Sequence, residues 1–398
     1  MKCCALICEY NPLHNGHCYQ LNQIRELTDC DKIICIMSGD FVQRAEPAIA
    51  NKLARAECAV RSGADMVVEL PLPYAVGSGE LFAKGAIEIV KALPNVSYLA
   101  MGCETDDVRM LKALADIQYE ESKNFKKLLD EQLKQGLSYA CSYALASEII
   151  GEKVGISRNM SRIILSKPNN VLCLEYLKAI KRQNVDVEPL IIKRKENNYY
   201  PLENIEITSS SVIRRRLNDG TSDSVTDAVP FDTFEMLKRE LCEHFPNNRT
   251  YSDIVLHSLR NMSIEEMRNL AEVSEGLEYS LSKACFKSTN IESLIEKVKS
   301  KRYTESRLKR ICLQAVFGLN KSFMSNIKHI YSRILAIKSD FKEYLSLLDD
   351  TFYIQTHEND AMMPSQKKLL NLEKQAMALY GLISHNEEYA FPPRLITI

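Results

Sequence analysis

A chain of 398 residues is long enough to bury a sizeable core in two or more domains. Its 51 lysines and arginines nearly balance its 52 aspartates and glutamates, so any nucleic-acid partner must be met by a local basic patch rather than by overall charge. No run of about 18 apolar residues argues for a membrane span, and the N-terminus enters a strand-like run without a basic leader, so a cytoplasmic protein with no membrane contact is expected.

The apolar runs CCALICEY, KIICIM, DMVVELP and VSYLAMG are short and rich in branched residues, and amphipathic helical patterns separate them. Strands alternating with helices predict an α/β fold with a Rossmann-like parallel sheet, in which ligands collect beyond the carboxyl ends of the strands. Residues 107 to 182 read as mainly helical, and VEPLIIKR restores a further strand. The first domain is expected to span 1–220. The turn-rich stretch NDGTSDSV (218–225) reads as a linker, and 226–398 is expected to form a mainly α-helical C-terminal domain. The thirteen cysteines include no Cys-x-x-Cys, and several sit inside apolar runs, so reduced thiols are expected.

After the first strand comes NPLHNGH. Asn11-Pro12 ends the strand, because proline disfavours helix at the residue before it. Asn15 is expected to cap a helix beginning at Gly16, whose unpaired first amides favour an anion. His14 and His17, three residues apart, then share a face and reach one phosphate. A pair of chance turn histidines is the bland reading, and a strand before with a helix after weighs against it. A zinc site would need a third ligand nearby, which the stretch lacks.

Together EYNPLHNGH, the segment 38–71, LSKPNN (165–170), ITSSSVIRRRL (207–217) and SKRYTESRLKR (300–310) resemble the bacterial tRNA(Met) cytidine acetate ligase family. That family lies within the nucleotidylyltransferase superfamily carrying the His-x-Gly-His signature. The resemblance implies adenylation of acetate by ATP, with Mg²⁺ expected, and transfer of the acetyl group to N4 of the wobble cytidine of elongator tRNA(Met). No obligate protein partner is implied. It places ATP along Ile7, Glu9, Asn11, Pro12, His14, Gly16, His17 and Gln20, with His14 and His17 catalytic on the phosphates. Gly102, Asn169, Asn170 and Arg194 would contact the nucleotide, although asparagine at a helix start is more often a cap. Ser211 would cap a helix at the phosphates and Arg214 would offset the charge of leaving pyrophosphate. Lys301, Arg302, Arg307, Lys309 and Arg310 would meet tRNA, where a solvated helix face is the ordinary alternative. Other readings of the same phosphate site are a small-metabolite adenylyl- or cytidylyltransferase and a non-catalytic RNA-binding protein.

Overall fold

The computed structural model describes residues 1–195, 198–200, 205–219, 222–274, 276–354, 361–390 and 395–398. The four apolar runs are strands β1 (Cys3–Cys8), β2 (Lys32–Ser38), β3 (Met66–Leu70) and β4 (Val96–Cys103), and β5 (Glu188–Lys193) follows a helical stretch. Because helices cover both faces, the inner strands can be apolar at every position. β1 sends Cys4 and Leu6 into one apolar layer and Cys3 and Ala5 into the other.

β1 pairs in parallel with β2 on one side and with β4 on the other, while β2 continues to β3 and β4 to β5. The spatial order β3-β2-β1-β4-β5 means that the winding reverses between β1 and β4. The two chain ends leaving those strands diverge to opposite faces, and the gap between them is where a doubly wound sheet takes its ligand. The histidine loop leaves β1 there and Gly102 ends β4 there. A small antiparallel pair, β6 (Asn198–Tyr200) and β7 (Ile205–Ile207), stands beside this gap.

The C-terminal part is mainly helical, as expected, but it is not separate from the sheet. Helices run from Phe231–Glu243 to Glu305–Phe317, but the chain then returns to the sheet as β8 (Ser332–Ile337), antiparallel to β3. β9 (Phe352–Tyr353) and β10 (Ile396–Thr397) pair with β8. The expected division between 220 and 226 therefore does not separate sheet from helices. SRILAI is a short, fully buried apolar run, and periodicity cannot distinguish such a run from buried helix. Nor do these helices make a core of their own, since Leu256, Leu313 and Tyr380 share an apolar cluster with Leu6 and Cys35. The thiol expectation also needs one correction: Cys103 and Cys173 are joined in a disulfide, and the other eleven cysteines are free.

A buried charge cluster fastens the last long helix, Pro364–Ile383, to the sheet. Lys52, at the start of α2 (Lys52–Arg61), lies with its Nζ 2.6 Å from both Glu69 on β3 and Glu373 on that helix. Arg333 Nη1 donates to Glu373 at 2.8 Å, and the Tyr331 hydroxyl donates to its other oxygen at 2.6 Å. Burial alone would raise the Glu373 carboxyl, but Lys52 and Arg333 outweigh it and hold the group at about 2. Two cations around one carboxylate make Glu373 the member whose loss leaves most charge uncompensated. Glu373→Ala should cost about 3–5 kcal/mol in urea unfolding; a loss below about 1 kcal/mol would mean that the cluster is solvated like a surface pair.

Candidate functional site

The loop after β1 turns sharply, with Tyr10 at φ +46 and a cis Asn11–Pro12 peptide, and enters α1 (Asn15–Leu27). His14, rather than Asn15, caps this helix: its Nδ1 accepts from the Gly16 N–H at 3.1 Å. His17 closes the reciprocal bond, its Nδ1 accepting from the His14 N–H at 3.3 Å. Asn15 instead donates to the carbonyls of Glu206 and Asp227, tying the helix start to β7 and the segment beyond it. Sequence reasoning missed this because an imidazole can cap as an amide does, and only the backbone geometry chooses between adjacent residues.

The two rings stack with centroids 3.7 Å apart and 23° between their planes. Since each Nδ1 accepts a backbone proton, each neutral ring carries its own proton on Nε2. His14 Nε2 is buried and has no partner in the protein. Burial, and then the charge of Arg194, lowers the His14 pKa to about 3; His17 is likewise held well below the usual range by burial, His14 and Arg194. A Cβ on Gly16 would stand 2.9 Å from His14 Cε1, so any side chain there would displace the ring.

His14, Gly16, His17, Gln20, Gly102 and Arg194 line one cleft. An added Cβ at Gly102 would meet Gln20 Nε2 at 3.3 Å and the Arg194 side chain at 3.6 Å, so the glycine keeps this wall thin. Glu9 and Asn11 stand behind the histidines as supports. Glu9 accepts from the Gln43 N–H at 2.7 Å, and burial raises its pKa. Asn11 accepts from the Ile49 N–H at 2.7 Å. Arg214 donates to the Asn11 carbonyl at 2.6 Å and pairs with Glu46 at 3.3 Å, while Ser210 donates to the Pro12 carbonyl. Ile7 belongs to β1 and packs into the core beneath.

Three expectations change in detail. Ser209, not Ser211, caps the helix Ser210–Asn218, and Ser211 Oγ lies 2.9 Å from Ser209 Oγ; in a run of three serines the sequence leaves the cap ambiguous by a residue or two. Asn170 is spent within the protein, its Oδ1 accepting from the Glu104 and Thr105 amides just beyond β4 and its Nδ2 donating to the Ile164 carbonyl, whereas Asn169 gives one N–H to Glu104 at 2.7 Å and keeps its amide oxygen and second N–H. The basic segment is also largely committed. Arg307 donates to the Glu272 carbonyl at 2.7 Å, Arg310 forms a bidentate pair with the Glu272 carboxylate at 2.6 and 2.7 Å, and Lys309 pairs with Glu305. Lys301 and Arg302 are exposed.

Sequence reasoning missed Arg55. Fully buried, it donates to the carbonyls of Ala50, Glu9, Ser38 and Gly39, clamping the chain beyond β1 against the chain beyond β2. In KLARAE it reads as an ordinary helix charge, and nothing local marks it otherwise.

The depressed histidine pKa values make the pair neutral donors at physiological pH. The unfolded chain takes up protons as pH falls through about 6.5, whereas folded His14 waits until about 3, so burial of the pair costs stability progressively between those values. Nitrogen-15 NMR should show His14 as the Nε2–H tautomer without titration between about pH 5 and 8, and a midpoint near 6.5 would contradict the neutral pair.

The HIGH Nucleotidyl Transferase family matches residues 1–391 of the chain. The tRNA(Met) cytidine acetate ligase of Acetivibrio thermocellus is 38% identical over 87% of this chain and 85% of its own length. That of Halothermothrix orenii is 34% identical over 98% and 96%. Among solved structures, Thermotoga maritima TmcAL bound with alpha-thio ATP superposes with a TM-score of 0.89 at 29% identity, covering all of both chains. Its apo form gives 0.90 at 30% identity, again over all of both chains.

Proposed function

Because the chain belongs to the HIGH nucleotidyl transferase family and, within it, to the tRNA(Met) cytidine acetate ligases, we propose that it uses ATP to join acetate to N4 of the wobble cytidine of elongator tRNA(Met). The observation that carries this reading is the orphaned Nε2–H of His14 beside the stacked His17, in a cleft at the reversal between β1 and β4.

In the first step an acetate oxygen attacks the α-phosphorus and the bond to the β-phosphate oxygen breaks, giving acetyl-adenylate and pyrophosphate. Negative charge grows on the phosphoryl oxygens as this happens. Two Nε2–H groups held in place by backbone bonds meet that charge without having to reorganise. In this reading Arg214, braced on the Asn11 carbonyl, offsets the charge of the departing pyrophosphate, and Gln20, Gly102 and Arg194, which line the cleft, form the wall for the nucleoside. In the second step the N4 amine attacks the acetyl carbonyl, AMP leaves, and the amine gives up a proton. Water must stay out between the two steps, because the mixed anhydride hydrolyses readily.

Mg²⁺ would enter as an ion carried mainly by the triphosphate oxygens. When bound it screens the phosphate charge. No described helix is long and apolar enough to cross a membrane, and action on tRNA assigns the protein to the cytoplasm.

The test is mass spectrometry of nucleosides from tRNA(Met) incubated with the protein, Mg²⁺, ATP and isotopically labelled acetate. Labelled N4-acetylcytidine that requires ATP is expected. Its absence, with pyrophosphate released by a phosphorylated metabolite instead, would move the assignment to a metabolite nucleotidylyltransferase. His14→Ala should slow acetate-dependent pyrophosphate release by roughly 10²–10³-fold, the usual cost of one preorganised donor; unchanged release in the folded variant would remove His14 from the chemistry.

A further inference from the structure

A second cavity, of about 250 Å³, lies beyond the carboxyl end of β3. One wall is the segment directly following that strand, including Pro73, Val76 and Lys84. The other comes from the helical part of the chain and includes Glu272, Gln314 and Met324. In the sheet β3 is two strands from β1, and adjacent strands are about 4.8 Å apart. The cavity thus lies along the same edge of the sheet as the histidine cleft, three strand spacings of about 4.8 Å from β4, which lines that cleft.

The basic segment builds its far wall. Arg307 donates to the Glu272 carbonyl and the Ser274 hydroxyl, and Arg310 grips the Glu272 carboxylate with two bonds. Gln314 completes the lock: its Oε1 accepts from the Glu272 N–H at 3.1 Å and its Nε2 donates to the Glu272 carboxylate at 3.2 Å. After these bonds one amide N–H of Gln314 and one lone pair of Glu272 Oε2 remain for a ligand. Donor and acceptor side by side, rigidly held, are what the edge of a base requires. Apolar Pro73, Val76 and Met324 suit the faces of a base, and exposed Lys84 suits a phosphate. The volume is below that of ordinary drug-sized sites of about 300–1,000 Å³, enough for one base and too small for a second whole nucleotide with its phosphates.

We propose that this cavity seats a nucleobase of the RNA substrate that neighbours the cytidine to be acetylated, with its edge on Glu272 and Gln314 and its phosphate toward Lys84. The proposal rests on the tRNA reading and deepens it. Modification of an anticodon base requires the loop to be splayed, so that neighbouring unstacked nucleotides can reach separate sites along this edge. The segment expected to touch RNA would then act mainly through Glu272, the residue that Arg307 and Arg310 hold in place.

The test compares wild type with Lys84→Ala, at an exposed site, and with Met324→Trp, which fills the cavity from a half-buried position. Both should leave acetate-dependent exchange of pyrophosphate into ATP at the wild-type rate and raise KM for tRNA(Met) by about tenfold, as loss of one seated base does. Transcripts carrying a single abasic nucleotide on either side of the wobble cytidine supply the second arm. One of them should bind wild type correspondingly worse and lose nothing further with Met324→Trp. Wild-type KM in both variants, or abasic penalties equal in wild type and Met324→Trp, would overturn the proposal, as would variants impaired in pyrophosphate exchange rather than in tRNA binding. If wild type makes no acetylcytidine at all, the tRNA reading itself fails; if it does so and the variants match it, only the cavity assignment fails.

Discussion

The cleft depends on how four residues of backbone, Glu9 to Pro12, are held between β1 and α1. Two arginines distant in sequence do this. Arg55 takes the Glu9 carbonyl from inside the sheet layer and Arg214 takes the Asn11 carbonyl from the helix that follows β7. Buried carbonyls need donors, and a guanidinium offers five in a fixed fork. With the loop fixed, His14 can take the Gly16 amide, and that bond in turn sets which imidazole nitrogen faces outward. The outward-facing imidazole proton is therefore positioned by a chain of main-chain hydrogen bonds that begins far from it.

The same constraint explains why the C-terminal part cannot be treated as an appendage. Arg55 belongs to α2, whose first residue, Lys52, is neutralised by Glu69 and by Glu373 from the last long helix. Tyr380 from that helix donates to the Ala48 carbonyl, and Tyr389 donates to Asp40. The segment between β2 and α2 is thus caught between the sheet and the C-terminal helix. A charge as deeply buried as Lys52 is tolerated only where its partners are covalently remote yet held rigidly. Pairing β8 with β3 provides that rigidity.

The parallel strands were legible because each is an uninterrupted apolar run of strand length between helical patterns. β8 was not, since its run carries the same signal as buried helix and its partner lies more than 250 residues earlier. The placement of the histidine pair after a strand and at a helix start was legible because strand, turn and helix follow local rules, whereas Gly102 was marked only by the resemblance. Asn169, Asn170, Arg307 and Arg310 show the limit of motif reading. Each bonds to a carboxylate or backbone group from another part of the chain, Glu104 or Glu272. Sequence identifies a residue type suited to a ligand, and whether the fold has already claimed its hydrogen bonds is a tertiary fact.

Neutral imidazoles are the better choice for this chemistry on electrostatic grounds. A protonated pair would bind the triphosphate strongly before reaction, and binding that is equal in ground and transition states lowers KM without accelerating the step. A fixed N–H dipole gains most where charge increases during the reaction, at the oxygens of the attacked phosphorus. The permanent cations stand elsewhere, Arg194 in the wall of the cleft and Arg214 against the loop on the Asn11 carbonyl. Arg194 also helps keep both histidines neutral, because its charge opposes a second positive charge on either ring. One arginine in the cleft wall thus preserves, through its field, the uncharged state of both donors.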